Sequence, residues 1–206
     1  MSLSLLRGDP LEACKSYRFR TGPKPGSFKN VEQGGACTIS CSKAANNIYD
    51  LEASDSAGSD YFYPWLQRGV GWVRVPKTIS EGTSVMTGGV NGCTLVVSET
   101  LGHYYFYHDG DSKYLTAGQV VGNEIARVEP KDYDKFEMGN KLFRATLADT
   151  IQAGKEIKGD LSYGHFVIAV RKGGKFGFYV TGVMSINGLT ALPYAITPLI
   201  VTFGGD

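Results

Sequence analysis

The chain has 206 residues, 42% of them hydrophobic and 20% charged, with 21 Lys plus Arg against 20 Asp plus Glu. That composition suits one domain with a sizeable core, and the near-neutral balance supplies no basic field to attract nucleic acid or an anionic membrane. No run approaches the roughly 18 to 20 apolar residues of a membrane-spanning helix. The opening Met1–Leu6 stretch is stopped by Arg7-Gly8-Asp9-Pro10, so no signal peptide is expected.

In chain order, the first thirty-five residues mix Gly, Pro and basic side chains, as in Arg20-Thr21-Gly22-Pro23-Lys24-Pro25-Gly26, and read as an irregular N-terminal arm. Ala44, Ala45, Ile48 and Leu51 follow Ser40 at roughly helical spacing, which predicts a helix over Cys41–Leu51. The acidic, Ser-rich Glu52–Asp60 reads as a loop. Strands are predicted at Trp72–Val75, Cys93–Val97, His103–Tyr107, Phe166–Arg171, Phe176–Val183 and Ile196–Phe203, all β-branched or aromatic. Lys172-Gly173-Gly174-Lys175 predicts a tight hairpin turn. Short helices are expected near Pro130–Glu137 and Leu147–Ala153. The sum is a sheet-dominated α+β domain spanning 1–206.

Chemistry concentrates in Met86-Thr87-Gly88-Gly89-Val90-Asn91-Gly92-Cys93-Thr94-Leu95-Val96-Val97 and the strand His103–His108 after it. With the turn centred between Thr100 and Leu101, antiparallel register sets Cys93 opposite His108 and points His103 to the other face. Opposed Cβ atoms lie about 4.5 to 5.5 Å apart, within hydrogen-bonding reach for a thiol and an imidazole. Such a pair makes a nucleophile for an amide carbon and a proton donor for departing ammonia. Gly92 and Gly88-Gly89 permit a tight approach in which the backbone N–H groups of Gly92 and Cys93 face a developing oxyanion. The alternative is that Cys93 is core packing at the head of the apolar face of Leu95, Val97, Tyr104 and Phe106.

At these residues the sequence resembles the cytotoxic necrotizing factor family of bacterial toxins, including the dermonecrotic toxin catalytic domain. The resemblance extends more remotely to the Burkholderia lethal factor and the chemoreceptor deamidase CheD. The family's Leu-x-Gly-Cys motif stands here as Val90-Asn91-Gly92-Cys93, with Val90 in place of leucine, and His108 follows the cysteine by fifteen positions. Thr87, six positions before Cys93, falls where the lethal factor and CheD branches carry a third site residue. The match covers about 25 residues.

The resemblance implies a β-sandwich core of mixed sheets with a few flanking helices. It implies deamidation of a protein glutamine by Cys93, His108 and Thr87 without metal or cofactor, with transglutamination as a side activity and a host small GTPase as the substrate. It also implies secretion or delivery into a host cytosol without a recognisable signal peptide; otherwise the protein is expected to be cytoplasmic.

Other features carry simpler expectations. Cys37-Thr38-Ile39-Ser40-Cys41 has the spacing of half a zinc site with no second pair following, and Cys14 is a candidate disulfide partner for Cys37 or Cys41. Four cysteines in so long a chain suit a reducing compartment better than a disulfide scaffold. His165 is a structural histidine or a reserve partner for Cys93. Asp109-Gly110-Asp111-Ser112 is a solvated turn or a carboxylate source for a histidine. Glu52–Asp60 and Lys113–Gly122 are candidate specificity loops. The 12 Tyr and 10 Phe keep a second class open, a non-catalytic protein- or carbohydrate-binding module.

Overall fold

The computed structural model describes residues 2–45, 47–133, 161–186, 190–193 and 197–205. Instead of an irregular arm, the chain begins with two short helices, α1 (Ser2–Gly8) and α2 (Pro10–Ser16), and a strand, β1 (Arg18–Pro23). Asp9 caps α2 by accepting the Glu12 N–H, and Pro10 sits in the first turn, where a missing N–H costs nothing. Leu6, Ala13 and Cys14 are buried and bring the helices onto the sheet. Only the segment after Pro23 keeps the irregular character that its Gly and Pro content predicts.

The expected helix over Cys41–Leu51 is a hairpin of β2 (Gly35–Ala45) and β3 (Ile48–Ser54), with Asn47 in the left-handed region at φ +59°. The physical reason is a period of two. Cys37 and Ile39 are buried while Thr38, Ser40 and Ser42 face solvent, and pairing with β1 and β4 (Asp60–Phe62) outweighs local helical spacing. The acidic loop is therefore shorter than expected, between Ser54 and Asp60.

Further on, the chain forms β5 (Val70–Pro76), β6 (Ser84–Met86), β7 (Thr94–Glu99), β8 (His103–Asp109) and β9 (Asn123–Val128), of which β5, β7 and β8 match strands expected from the sequence. It then forms β10 (Leu161–Lys172), β11 (Lys175–Ile186), β12 (Thr190–Pro193) and β13 (Leu199–Phe203); β10, β11 and β13 fall on expected strands, and β6, β9 and β12 are additions to the expectation. Gly173 and Gly174 both adopt positive φ, 61° and 77°, and join β10 to β11 as the sequence predicts. Helix α3 (Pro130–Tyr133) supplies the start of the expected Pro130–Glu137 helix; the remainder and Leu147–Ala153 lie outside the described residues.

Among the described residues two sheets form, a large mixed one in the order β1-β3-β2-β4-β6-β10-β11-β12 with β13 also on β11, and a smaller one in the order β5-β8-β7-β9. The architecture is sheet-dominated α+β with few helices. Alternation along β10 decides the layering. Val167 and Ala169 face the small sheet and pack with Val73, Leu95, Val97, Phe106, Phe178 and Phe203. Ile168 and Val170 face the other way and meet Leu6, Cys14, Phe19 and Leu51 beneath the helices. β10 is thus buried on both faces, so it reads as a continuous apolar run.

Candidate active site

His108 lies on β8 with its ring turned into the cleft between the sheets, fully buried. The observed register sets Leu95, not Cys93, opposite His108. The turn is centred one position later than expected, with the Thr100 N–H donating to the His103 carbonyl at 2.9 Å around Leu101-Gly102. Moving the turn by one position slides the pairing by two residues, which preserves the face of every side chain. Cys93 therefore stays on the His108 side, diagonal to it just ahead of β7, and His103 stays on the other side, paired with Pro76. No hydrogen bond joins the Cys93 sulfur to His108 among the described residues; the thiol donates to the Asn91 carbonyl at 3.7 Å.

Thr87 follows β6, and its hydroxyl lies 2.7 Å from His108 Nδ1. Thr87 is itself held by the Thr21 hydroxyl, which donates to its carbonyl. The ring of Tyr63 meets the imidazole edge-on at 6.3 Å. His108 Nε2 is buried and has no hydrogen-bond partner among the described residues. Burial in this apolar cleft pushes the His108 pKa down to about 3, so the resting imidazole is neutral.

Cys93 ends a tight turn in which its own N–H donates to the Val90 carbonyl at 2.9 Å and Gly92 takes φ +78°. The Cys93 N–H expected at the oxyanion is thus committed to the turn in this structure. Burial raises the Cys93 pKa; the Asp111 backbone N–H and the Trp65 side chain, which interact favourably with the ionised sulfur, lower it, and the carboxylates of Asp111 and Asp109 raise it. With the thiol pKa raised and the imidazole pKa lowered, both groups rest in their neutral forms.

Four residues hold this turn: Tyr133, which sequence reasoning passed over, Asn91 and Ser112, which it named only within their motifs, and His165, in the structural role expected as one of its two readings. The Tyr133 hydroxyl donates to the carbonyls of Val90 and, at 2.7 Å, Cys93. Asn91 Oδ1 accepts the His165 backbone N–H at 2.8 Å and lies 3.1 Å from His165 Nδ1, while the Val90 N–H donates to the His165 carbonyl. Ser112 donates its hydroxyl to the Gly92 carbonyl at 2.9 Å. His165 thus anchors the turn through Asn91. Asp109 accepts the N–H groups of Lys113 and Tyr114 and makes the turn that its Asp-Gly-Asp-Ser string implies.

Beside the turn, a cavity of about 280 Å³ is lined by Phe28, Phe62, Pro64, Trp65, Gly88 and Gly89, with no charged side chain in its lining. Away from this region all four thiols are free, so Cys14 forms no disulfide with Cys37 or Cys41. Among the described residues no cluster of three His, Cys, Asp or Glu is placed to hold a metal, and no helix is long and apolar enough to cross a membrane.

No family model matches the sequence, and no curated protein matches it. Among solved structures the chain is similar to the C-terminal domain of CNFy from Yersinia pseudotuberculosis, at 13% identity and a TM-score of 0.27 over 71% of this chain. The matched part is 62% of that domain, less than two thirds of its length. A score at that level carries no argument about fold or function, and the reading of the site stands on the chain's own residues.

Proposed function

We propose that this chain is a toxin-like cysteine deamidase that converts a glutamine side chain of a protein substrate to glutamate. The observation that carries the reading is the contact between the Thr87 hydroxyl and His108 Nδ1, 2.7 Å long and buried, beside a turn that presents Cys93. With Nδ1–H donating to Thr87, Nε2 keeps its lone pair on the Cys93 side of the sheet.

The chemistry runs from neutral groups. Nε2 takes the thiol proton as the sulfur attacks the carboxamide carbon, and the resulting imidazolium returns that proton to the nitrogen, so ammonia leaves and a thioester remains. Water, deprotonated by Nε2, then attacks the thioester; the carbon–sulfur bond breaks, glutamate forms and the thiol is restored. An amine in place of water gives the transglutaminase side reaction. Burial of His108 makes it a weak resting base, so the thiol proton moves to Nε2 together with sulfur attack and not ahead of it.

In this reading the substrate is a host protein of the small-GTPase class, reached after secretion or delivery into the host cell. The test is intact-mass analysis of candidate GTPases after incubation with wild type and Cys93→Ala. A glutamine-to-glutamate mass change made only by wild type supports the reading. An unmodified target together with a Cys93 that iodoacetamide labels no faster than a buried thiol overturns it.

A second reading, the binding module, is favoured by a cavity of about 250 Å³ lined by Glu32, Val70, Trp72, Tyr107, Leu115 and Val121. Trp72 and Tyr107 are direct partners in the β5–β8 ladder and point away from His108. A partner held there keeps its affinity in Cys93→Ala, and no mass change accompanies binding.

A further inference from the structure

Deamidases of this kind must choose one glutamine among many, and nothing in a thiol and an imidazole makes that choice. The cavity beside Cys93 has the size and chemistry to do so. At about 280 Å³ it exceeds an apolar cavity that holds one benzene and falls at the lower edge of small-molecule sites, so it suits a single side chain.

The cavity is built in advance by the segments that build the site. Tyr63 donates its N–H to the Met86 carbonyl, which lays Pro64 and Trp65 along Thr87 and Gly88. Trp65 is 48% exposed, one of few large hydrophobic side chains so placed among the described residues, and it lies near enough to Cys93 for its side chain to lower the thiol pKa against the rise from burial. On the opposite wall Phe28 packs on Phe62 at 5.0 Å between ring centres. Phe28 holds φ +51°, a left-handed conformation unfavourable for an aromatic residue. Its loop is fixed by Ser27, whose hydroxyl donates to Asp55 Oδ1 and accepts the Asp55 N–H. Strain kept at a half-exposed aromatic wall, an exposed tryptophan and two glycines that leave the floor bare together describe a receptor for apolar surface.

We propose that the cavity between Phe28 and Trp65 is a specificity subsite that accepts a bulky apolar side chain next to the target glutamine. This rests on the deamidase reading and names its substrate class: an exposed protein segment in which the glutamine is flanked by an aromatic or large aliphatic residue. Trp65 connects the two halves, lining the cavity and lowering the pKa of the nucleophile from the same position.

The test uses the full chain and compares Cys93 alkylation by N-benzyl iodoacetamide and by iodoacetamide. Taking the ratio of the two rates cancels the intrinsic reactivity of the thiol. A benzyl group in the subsite is expected to raise the ratio about tenfold over that of free cysteine, with a rate that saturates in the aromatic reagent.

Gly88→Leu is expected to return the ratio to the free-cysteine value while iodoacetamide alone still reacts. A Cβ at Gly88 meets only the Trp65 Cβ at 3.9 Å, so the backbone tolerates the change and the longer side chain fills the space. Phe28→Ala, on the far wall, is expected to lower the ratio as well. A wild-type ratio equal to that of free cysteine overturns the subsite and leaves the deamidase reading standing. A Cys93 inert to both reagents at every pH overturns both.

Discussion

The Thr87 hydroxyl lies 2.7 Å from Nδ1 of His108 in a cleft where both residues are fully buried. Thr87→Val keeps the shape and removes the oxygen, leaving the buried Nδ1 of His108 without its hydrogen-bond partner. A loss of about 1 to 3 kcal/mol of stability is expected from that orphaned group. Cys93 alkylation near neutral pH should also slow, by about tenfold or more, as the imidazole loses its orientation. Thr87→Ser restores both. Urea unfolding and alkylation kinetics on the three proteins check this, and a Thr87→Val protein that alkylates at the wild-type rate contradicts an orienting role.

The charge state of His108 makes stability depend on pH. The imidazole takes a proton near pH 6.5 in the unfolded chain but only near 3 in the folded protein. Between those values the unfolded state binds the extra proton, so the contribution of the neutral ring is complete above about pH 6.5 and is lost as the pH falls toward 3. The loss amounts to up to about 3 kcal/mol by pH 4. Urea midpoints of wild type and His108→Gln should diverge between pH 7 and pH 4, with wild type falling more steeply; parallel curves would rule out burial of the imidazole.

Gly92 is a separate lever on the nucleophile. Its φ of +78° is open to glycine and costs other residues about 1 to 2 kcal/mol, and a Cβ there meets nothing within 4 Å. Gly92→Ala is therefore expected to lose about that much stability through the backbone alone, with slower Cys93 labelling as the turn shifts. Gly92→Asn, better suited to the left-handed region, should lose less. Equal stability of wild type and Gly92→Ala would contradict the turn geometry.

Tyr133 reaches the same turn from the far side. Tyr133→Phe keeps the buried ring and removes the hydroxyl that serves the Val90 and Cys93 carbonyls. The expected cost is about 1 to 2 kcal/mol, with faster hydrogen exchange across residues 90–93. Exchange unchanged over those residues would show that the turn does not depend on Tyr133.

The other buried thiols provide an internal control. Burial pushes Cys14 and Cys37 up to about 12, so both stay protonated and shielded in the folded protein. Peptide mapping after brief native alkylation should find label on Cys93 ahead of either. Their raised pKa values add stability that is complete below about pH 9, where the unfolded thiols begin to ionise, and is lost as the pH rises through about 12. Alkaline unfolding over that window, softened in Cys14→Ala, is the matching measurement.

Sequence by itself determined the elements whose signal is local. The β-branched and aromatic runs at Val70–Pro76, Thr94–Glu99, His103–Asp109 and Lys175–Ile186 are strands, and Gly173-Gly174 turns the chain because both glycines take positive φ. The shared face of Cys93 and His108 was legible even though the pairing was placed two residues away, because side chains alternate with a period of two and a shift of two changes no face. Thr87 was legible as a partner of His108 through the resemblance, and its contact needed the two sheets to close.

Only tertiary structure decided the rest. The first fifty residues become helices and strands through partners remote in sequence. Phe19 donates its N–H to the Thr181 hydroxyl, 162 positions away, and β2 pairs with β4, neither of which local propensity encodes. The neutrality of His108 follows from desolvation between two sheets, a property of the surroundings and not of the residue. Trp65, Tyr133 and Asp111 meet at Cys93 only after the chain closes on itself. Burial and convergence of that kind depend on which surfaces exclude water from one another, and the linear order of residues does not state it.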